Sequence, residues 1–338
     1  MSERVVLVTG ASGFVGSSLL ASYPAASPRV GLVRPGRAGV AHQGLSFRAL
    51  SGWTEEALTS AFTGVDAVVH AASVVHHPGA TEAEYARFNV EGTRALVQAC
   101  KTAGVKRLIF VSTIKVYGEE PRAGVIDEST PVAFDSPYGR TKIEAEQIVL
   151  AAAREGGLST AVLRLCPVFG RGDKSNVQAM IRAIARRRFV LPGGGHNRKS
   201  IVHISTVTEV ARAAVDSNAS GVFVVADSEA PTMRELADTM AKVLHAPRPP
   251  SVPEPLVRGA LAALEAVFSL SDKKAPFTRE QLRKLLEPTV CSPRRAQAEL
   301  GASCHVDLEQ ALADEARWLR ESALLAGRRV DQYPAPAS

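Results

Sequence analysis

The stretch Arg4-Val-Val-Leu-Val-Thr-Gly-Ala-Ser-Gly-Phe-Val-Gly16 decides the fold of this chain. Its opening run of β-branched and aliphatic residues is typical of a parallel strand that is buried on both faces. Three glycines, Gly10, Gly13 and Gly16, follow at once and open a helix that we expect to run through Ala21. Glycines permit a tight turn and a close approach to a pyrophosphate, and the helix N-terminus offers free N–H donors. A strand, a glycine-rich turn and a helix in this order indicate a dinucleotide-binding unit.

Alternating strand and helix patterns extend this unit along the first half of the chain. Further strands are predicted at 29–33, 45–50, 66–70, 107–113 and 159–165, and helices at 54–61, at 82–103 and from residue 137. This order is typical of an α/β fold with a doubly wound parallel sheet of the Rossmann type. We expect residues 1–170 to form the dinucleotide-binding domain, with a strand and a helix returning to it near 201–225. Residues 171–338 are expected to form mainly a smaller α/β portion that binds the substrate.

Composition and charge indicate a soluble globular protein. The chain has 338 residues, 46% hydrophobic content and a net charge of +6, with no interleaved basic and aromatic stripe, so nucleic-acid binding is not expected. The four cysteines lack metal-ligand spacing, and the chain enters a strand almost at once, so we expect no signal peptide and a cytoplasmic location. His70, His76 and His77 show neither ligand spacing nor a carboxylate set, so no metal site is predicted.

The second half contains several signals for packing rather than chemistry. Thr206 with Glu209, and Thr232 with Glu235, predict capping boxes that each open a helix. Five prolines between Pro247 and Pro255 predict a rigid connection. We expect the last residues, Tyr333 to Ser338, to be frayed.

The longest apolar segment runs from Pro255 to Leu270 and is interrupted by Arg258 and Glu265. It is too short to span a bilayer, so no integral membrane segment is expected. An ordinary packed helix is the favoured interpretation, and a lid, a dimer surface or a shallow membrane contact remain as alternatives.

The stretch Ser136-Pro-Tyr-Gly-Arg-Thr-Lys142 predicts a helix that carries two candidate catalytic groups. Ser136 can cap a helix and proline suits its first position, so Tyr138 and Lys142 lie one turn apart on one face. A fixed ammonium beside a phenol favours the phenolate, so we expect Lys142 to lower the pKa of Tyr138 toward neutrality. The pair would then exchange a proton with a sugar or alcohol oxygen.

Arg34, at the end of the second predicted strand, indicates which dinucleotide is bound. A ribose 2′-hydroxyl favours an acidic residue here, whereas a 2′-phosphate favours a planar guanidinium. We therefore favour NADP over NAD, with Arg37 as a possible second contact. The alternative is that Arg34 stacks on the adenine of NAD.

The GxxGxxG spacing of the first turn resembles the extended branch of the short-chain dehydrogenase/reductase superfamily. The hydroxyl pair Ser112-Thr113 before Val-Tyr-Gly118, and the Tyr138–Lys142 pair, resemble the same family. The resemblance implies that Thr113 positions the substrate oxygen, that Tyr138 is the acid/base and that Lys142 also binds the nicotinamide ribose. It covers nearly the whole chain.

The resemblance also implies which other residues approach the cofactor. Asn89 would help to hold the active-site backbone, the alternative being a solvated asparagine. Where relatives often carry an aspartate that reaches the adenine amine, this chain has Ala49. Together with Arg34, Tyr138 and Lys142, the implied cofactor contacts are Gly10, Ser12, Gly13, Phe14, Val15, Gly16, Ala71, Ala72, Asn89, Ser112, Pro167 and Val168.

The substrate elements resemble those of bacterial sugar-nucleotide 4-epimerases and 4-keto reductases that act on UDP-N-acetylhexosamines. Asn176 ends a glycine-containing break after the sixth strand, and Asn197-Arg198-Lys199-Ser200 follows a Gly-Gly-Gly turn. The resemblance implies that Asn176 and Arg198 hold the nucleoside diphosphate, while Ser73 and Val74 lie at the substrate mouth. The alternative is a turn with ordinary surface cations.

We therefore expect an NAD(P)-dependent sugar-nucleotide 4-epimerase or 4-keto reductase that acts on a UDP-hexose or UDP-N-acetylhexosamine. One alternative is an NADPH-dependent ketoreductase of an apolar carbonyl, such as a steroid or flavonoid, and another is a non-catalytic dinucleotide sensor. A homodimer through the helices at 82–103 and 138–155 is expected from the resemblance.

Overall fold

A computed structural model describes residues 4–37, 43–50, 52–74, 81–118, 124–134, 136–173, 176–269 and 277–322. Seven parallel strands form one sheet in the order β7-β6-β5-β4-β1-β2-β3. These strands are β1 (Val6–Thr9), β2 (Arg29–Val33), β3 (Leu45–Ala49), β4 (Ala67–His70), β5 (Arg107–Thr113), β6 (Ser159–Leu165) and β7 (Gly221–Val225). The order reverses between β1 and β4, so the loops after these neighbouring strands face each other across a crevice. The predicted doubly wound α/β fold is confirmed.

In the described residues, twelve α-helices surround the sheet or belong to the second half of the chain. They are α1 (Phe14–Ser22), α2 (Glu55–Ala61), α3 (Glu82–Tyr85), α4 (Gly92–Thr102), α5 (Pro137–Glu155), α6 (Asn176–Ala185), α7 (Ile204–Asp216), α8 (Met233–Leu244), α9 (Glu254–Ser269), α10 (Arg279–Leu286), α11 (Arg294–Leu300) and α12 (Leu308–Glu321). The cap on α5 is as predicted, since the Ser136 side chain accepts a hydrogen bond from the Gly139 N–H and Pro137 takes the first helical position.

The two faces of the sheet carry separate hydrophobic clusters. Val6 and Val8 of β1 face the cluster that contains α1 and α7, whereas Leu7 faces the cluster that contains α2, α4 and α5. This division follows from the alternation of side chains along a strand. A third cluster joins α6, α8 and α12 around Phe169 and Leu191, so the helices of the second half have a core of their own.

In the part of the chain that the structure describes, three pairs of two-residue strands connect the parts of the second half to each other and to the first half. Val168–Phe169 pairs with Val202–His203, Leu191–Pro192 with Ser251–Val252, and Val125–Ile126 with Val290–Cys291. The predicted proline-rich connection therefore includes a short strand. Tyr333 to Ser338, which we expected to be frayed, lie outside the described residues.

The helix predicted over 82–103 is interrupted. It begins as α3 and ends as α4, with a π-helical segment, Ala86–Glu91, between them. Such segments insert an extra residue into a helix and occur often at functional sites. The interruption contains Asn89, whose position is described with the site.

One of the two predicted capping boxes is wrong. Helix α7 begins at Ile204 with His203 as its N-cap, so Thr206 lies inside the helix. There the Thr206 hydroxyl donates a 2.6 Å hydrogen bond to the buried Asp227 carboxylate, and Glu209 accepts from the Ser303 N–H at 2.7 Å. Both side chains of the predicted box therefore bind residues distant in the sequence instead of capping a helix. The second box, Thr232 with Glu235, is confirmed.

Helix α9 is more exposed than predicted. Leu261 is its only buried residue, while the side chains of Leu256 and Val267 are 66% and 65% exposed. The ordinary packed helix that we favoured is therefore wrong for most of its length. Among the described helices, none is long and apolar enough to cross a membrane.

The cap of α8 yields a stability prediction. In Thr232→Ala, the N–H of Glu235 loses its side-chain partner, so the free energy of unfolding should fall by about 1 kcal/mol. Chemical denaturation followed by circular dichroism would measure it. Thr239→Ala, at a half-buried position inside the same helix, is the matched control, and an equal loss in both variants would contradict the capping role.

Candidate active site

The glycine-rich turn brings two stretches of backbone into close contact. Gly10 has a φ of +68°, and a Cβ atom there would lie 2.8 Å from the backbone nitrogen of Ala72 and 2.9 Å from the carbonyl carbon of Ala71. The N–H of Gly13 donates to the Gly10 carbonyl at 2.9 Å and Gly13 is the N-cap of α1. A Cβ atom on Gly16 would collide with the Gly10 carbonyl oxygen. A side chain at position 10 or 16 is therefore excluded.

The other predicted residues of this turn differ in exposure. Ser12 is exposed, whereas Phe14 and Val15 are half-buried and pack against the hydrophobic cluster beneath α1. As a glycine, Gly13 provides no side-chain cap for α1. The first N–H groups of the helix are thus available to an anion, which is the arrangement that a dinucleotide pyrophosphate requires.

The loop after β4 forms the opposite wall of the crevice. The N–H of Ala72 donates to the Thr9 hydroxyl at 3.2 Å, and that hydroxyl lies 2.7 Å from Nδ1 of His70. His70 also packs against the rings of Trp53 and Phe110. Burial lowers the pKa of His70 to about 3, so this ring is neutral and structural.

Asn89 holds the same loop from the other side. It accepts hydrogen bonds from the Val74 N–H at 3.1 Å and the Ser73 hydroxyl at 3.2 Å, and its amide donates to the Val74 carbonyl at 3.3 Å. It also donates to the Thr141 hydroxyl on α5 at 3.3 Å. Asn89 is buried, so the alternative of a solvated asparagine is wrong. The π-helical segment directs this amide at the loop and at α5 together.

Tyr138 and Lys142 are both buried on α5. Burial raises the pKa of Tyr138 to about 12, and a hydrogen bond with Ser73 acts in the opposite direction. Burial lowers the pKa of Lys142 to about 8. The Lys142 ammonium donates to the Val111 carbonyl at 2.9 Å and lies 4.0 Å from the centre of the Phe110 ring.

The expectation that Lys142 lowers the pKa of Tyr138 is therefore wrong for this structure. The ammonium is directed at the backbone of β5, and burial raises the pKa of Tyr138 above its usual value. Spacing along a helix placed the two residues on one face, but it did not determine where the lysine head group would bind.

The hydroxyl pair at the end of β5 divides between two environments. Thr113 is half-buried and its hydroxyl accepts from the Lys115 N–H at 3.3 Å, which caps the short 3₁₀ turn Ile114–Tyr117. Ser112 is buried and its hydroxyl donates to the Glu146 carboxylate. Adjacent residues of a strand face opposite sides, which separates the two hydroxyls.

Sequence reasoning missed a buried ion pair behind these residues. Arg164 of β6 donates to both carboxylate oxygens of Glu146, with its Nη2 atom 2.6 Å from Oε2, and also to the Tyr117 hydroxyl at 2.8 Å. The sequence contained two signals for this pair. One is an arginine within an otherwise apolar strand, and the other is a glutamate four residues after Lys142 on the predicted helix.

The remaining predicted cofactor residues lie at strand ends. Arg34 is exposed directly after β2, and Val33 is paired with Ala49 of β3. Pro167 follows β6, and its carbonyl accepts from the Val202 N–H at 3.0 Å. Val168 is half-buried in the short strand that follows.

Two of the predicted substrate residues, Asn176 and Arg198, lie in the second half of the chain. Asn176 is the exposed first residue of α6. Arg198 is also exposed, and its Nε donates to the Ala230 carbonyl at 2.8 Å. Lys199 donates to the Lys284 carbonyl at 2.7 Å, so a backbone partner on α10 already holds its ammonium.

Within the described part of the chain, no cluster of three or more His, Cys, Asp or Glu side chains is arranged to hold a metal ion. His76 and His77, which the sequence analysis considered as ligands, lie outside the described residues.

Comparisons with known proteins found related epimerases and reductases. A ketoreductase of Stigmatella aurantiaca, named for 4-hydroxy-2-methyl-3-oxo-4-farnesyl-3,4-dihydroquinoline-1-oxide, is 29% identical over 314 residues, covering 90% of this chain and 93% of the relative. A UDP-glucose 4-epimerase of Vibrio cholerae is 32% identical over 257 residues, covering 71% of this chain and 76% of the relative. The structure of MoeE5 in complex with UDP-glucose and NAD superimposes with a TM-score of 0.72 and 26% identity, covering 94% of this chain and 99% of that chain.

The family itself follows from a direct match. Residues 6–226, more than half of the chain, match the profile of the family described as NAD dependent epimerase/dehydratase. The relatives include epimerases and reductases, which are enzymes, and the family resemblance inferred from the sequence is confirmed. The chain therefore belongs to the NAD dependent epimerase/dehydratase family.

Proposed function

We propose that this enzyme is an NAD(P)-dependent 4-epimerase or 4-keto reductase of a UDP-hexose or UDP-N-acetylhexosamine. The observation that carries the proposal is a continuous chain of contacts from the glycine turn to the buried tyrosine. Gly10 packs on Ala71 and Ala72, and the next residue, Ser73, hydrogen-bonds to Tyr138. The proposed phosphate-binding turn and the proposed acid/base are therefore both in contact with the loop after β4.

The residues of the crevice fit a dinucleotide. Gly13 leaves the N-terminus of α1 without a side-chain cap, so its N–H groups are available to the pyrophosphate, and Gly10 lets the turn pack directly on the backbone of Ala71 and Ala72. Ala71, Ala72, Pro167 and Val168 are the residues that we assign to its nicotinamide half. A bound nicotinamide would supply the hydride chemistry at the sugar carbon.

The chain's own residues supply the proton chemistry. With a pKa of about 12, Tyr138 is protonated at neutral pH and is ready to give its proton to a ketone oxygen. In the reverse direction its phenolate takes the proton of the hydroxyl. We assign Thr113 to hydrogen-bond the same oxygen and Lys142 to bind the nicotinamide ribose. Epimerisation requires the keto sugar to turn over between the two steps, whereas net reduction requires release of the cofactor.

We assign recognition of the nucleoside diphosphate to Asn176 and Arg198, and we propose that residues 171–338 mainly bind substrate. Support comes from the relatives, since the Vibrio cholerae protein is a UDP-glucose 4-epimerase and MoeE5 binds UDP-glucose and NAD. Both Asn176 and Arg198 are exposed, as a ligand contact requires.

A second candidate is an NADPH-dependent reductase of an apolar carbonyl. It is favoured by the Stigmatella aurantiaca ketoreductase, which matches 90% of this chain. Val132 and Phe134, 43% and 55% exposed, provide apolar surface immediately before α5. A non-catalytic dinucleotide sensor would not require a buried Tyr138 and Lys142, so we do not favour it.

We also propose that the enzyme is a cytoplasmic homodimer that binds NADP in preference to NAD. All four cysteines are free and buried, which suits a reducing compartment. The outer faces of α4 and α5 line a groove of about 1040 Å³ and carry charges of both signs, including Arg94 and Glu144, that can pair across a two-fold axis. The preference for NADP rests on the exposed guanidinium of Arg34.

Removal of the Tyr138 hydroxyl tests the acid/base assignment. Tyr138→Phe should lower kcat about 10²- to 10⁴-fold, because general acid–base catalysis contributes a factor of this size, while NADPH binding should be retained. Tyr85→Phe is the matched control, since the Tyr85 ring lies 6.2 Å from that of Tyr138 and has no assigned role. Full turnover by Tyr138→Phe would refute the assignment.

The role of Arg34 is tested by reversing its charge. Arg34→Asp should weaken NADPH binding by about tenfold or more, since a charged hydrogen bond worth about 1.5–3 kcal/mol is lost, and should spare NADH. Fluorescence titration of both nucleotides measures the effect, with NADH as the internal control. Equal losses for both would disprove recognition of the 2′-phosphate.

Calorimetry with UDP and UDP-N-acetylglucosamine separates the two candidate functions. A sugar-nucleotide enzyme should bind both, and Arg198→Met should weaken binding by about tenfold or more because one charge-assisted contact to a phosphate is lost. Arg188→Met, which changes an exposed arginine outside the proposed site, is the matched control. No binding of UDP, together with turnover of an apolar ketone, would favour the ketoreductase.

A further inference from the structure

A fully enclosed group of polar side chains lies behind the proposed catalytic residues. We call it the Glu146 network, and it consists of Ser112, Tyr117, Glu146 and Arg164. Arg164 Nε lies 3.2 Å and 3.1 Å from the two carboxylate oxygens of Glu146, and Nη2 lies 2.6 Å from one of them. The Arg164 and Glu146 side chains are only 8% and 3% exposed. A buried ion pair seldom adds stability over apolar side chains of the same volume, so its position in the fold needs another explanation.

The network joins three elements that present proposed active-site residues. Ser112 precedes Thr113 at the end of β5, and its hydroxyl donates to Glu146. Glu146 lies one helical turn after Lys142 on α5. Arg164 lies on β6, which leads to Pro167. The Glu146 carboxylate is thus bonded to β5 and β6 while it is carried by the helix that holds Tyr138 and Lys142.

Glu146 also faces a lysine that is removed from water. Burial lowers the pKa of Lys142 to about 8, and the negative charge of Glu146 opposes this effect. On β4, His70 is neutral because burial and Lys142 lower its pKa to about 3. From β5, Lys142 meets the Phe110 ring and the Val111 carbonyl. On α5, Tyr138 is protonated and uncharged at neutral pH. On β6, Arg164 is a cation that forms an ion pair with Glu146.

We propose that Glu146 is a positioning residue, whose carboxylate keeps the buried Lys142 charged and holds the end of β5 that carries Thr113. The inference rests on the proposed function through the role of Lys142 at the dinucleotide. A purely structural ion pair makes a different prediction, because its effects should vanish when both charged partners are replaced together.

The experiment follows dinucleotide binding across pH, so it requires no knowledge of the substrate. NADPH is titrated by fluorescence from about pH 6 to about pH 10, a range that spans a perturbed lysine. Binding that uses the Lys142 ammonium is complete below the pKa of Lys142 and weakens as pH rises through it. In Glu146→Gln the loss of the anion should move the midpoint of this decline down by about one pH unit or more.

Three further variants separate positioning from stability. The double variant Glu146→Leu/Arg164→Met removes both charges, so it should recover most of the Tm that Glu146→Gln loses while its pH midpoint stays below that of the wild type. Tyr117→Phe is the matched control, because it removes the partner of Arg164 at the far end of the network and should lower Tm without moving the midpoint. Lys142→Met should abolish the pH dependence.

The outcomes distinguish this inference from the function on which it rests. If Lys142→Met retains the wild-type pH dependence, the role assigned to Lys142 fails and the inference fails with it. If Lys142→Met abolishes it but Glu146→Gln has the wild-type midpoint, or the double variant regains both Tm and midpoint, only the inference is overturned. Should Glu146→Gln not fold, the double variant provides the same measurement.

Discussion

The close approach of Gly10 to Ala71 and Ala72 is the constraint on which the crevice depends. A Cβ atom at position 10 would lie 2.8 Å from the Ala72 nitrogen, well inside van der Waals contact, and the φ of +68° also favours glycine. Because β1 and β4 are adjacent parallel strands, the loops after them meet here. The Ala72 N–H is bonded to Thr9, so the loop is held to β1 on one side. A larger residue at position 10 would displace every group that this loop positions.

From this contact, the arrangement extends to the helix that carries the proposed acid/base. Asn89 binds the backbone of Val74 and the hydroxyl of Thr141 on α5, and it does so from a π-helical segment. Without the additional residue of that segment, the asparagine would be rotated away from the loop. The buried amide therefore couples the loop after β4 to α5, while the Glu146–Arg164 pair couples α5 to β5 and β6. Polar groups that are costly to bury are placed where separate elements must keep a common geometry.

The two candidate functions share everything that is built on the sheet. Under either proposal, the glycine turn, the Asn89 contacts and the Tyr138 helix would have the same role, whether the substrate is a sugar or an apolar ketone. The two candidate functions differ in the substrate that the second half of the chain would recognise. That half has its own hydrophobic cluster around α6, α8 and α12, separate from the clusters on the sheet. One cation of the second half already has a protein partner, since the Lys199 ammonium donates to the Lys284 carbonyl.

The sequence alone determined the doubly wound α/β class of the fold, the glycine turn and the capped helix of Tyr138, because these follow from short-range patterns of side chains. The predicted bounds of β2, β5 and β6 agree with the structure at every residue. Only the tertiary structure decided where polar groups find their partners: Thr206 binds Asp227 instead of capping a helix, and Lys142 binds the Val111 carbonyl instead of acting on Tyr138. The same is true of Arg164 and Glu146, which are 18 residues apart in the chain and in contact in the fold. A hydrogen bond or an ion pair requires that two groups approach to about 3 Å, and this approach is set by the packing of the elements rather than by spacing along the chain.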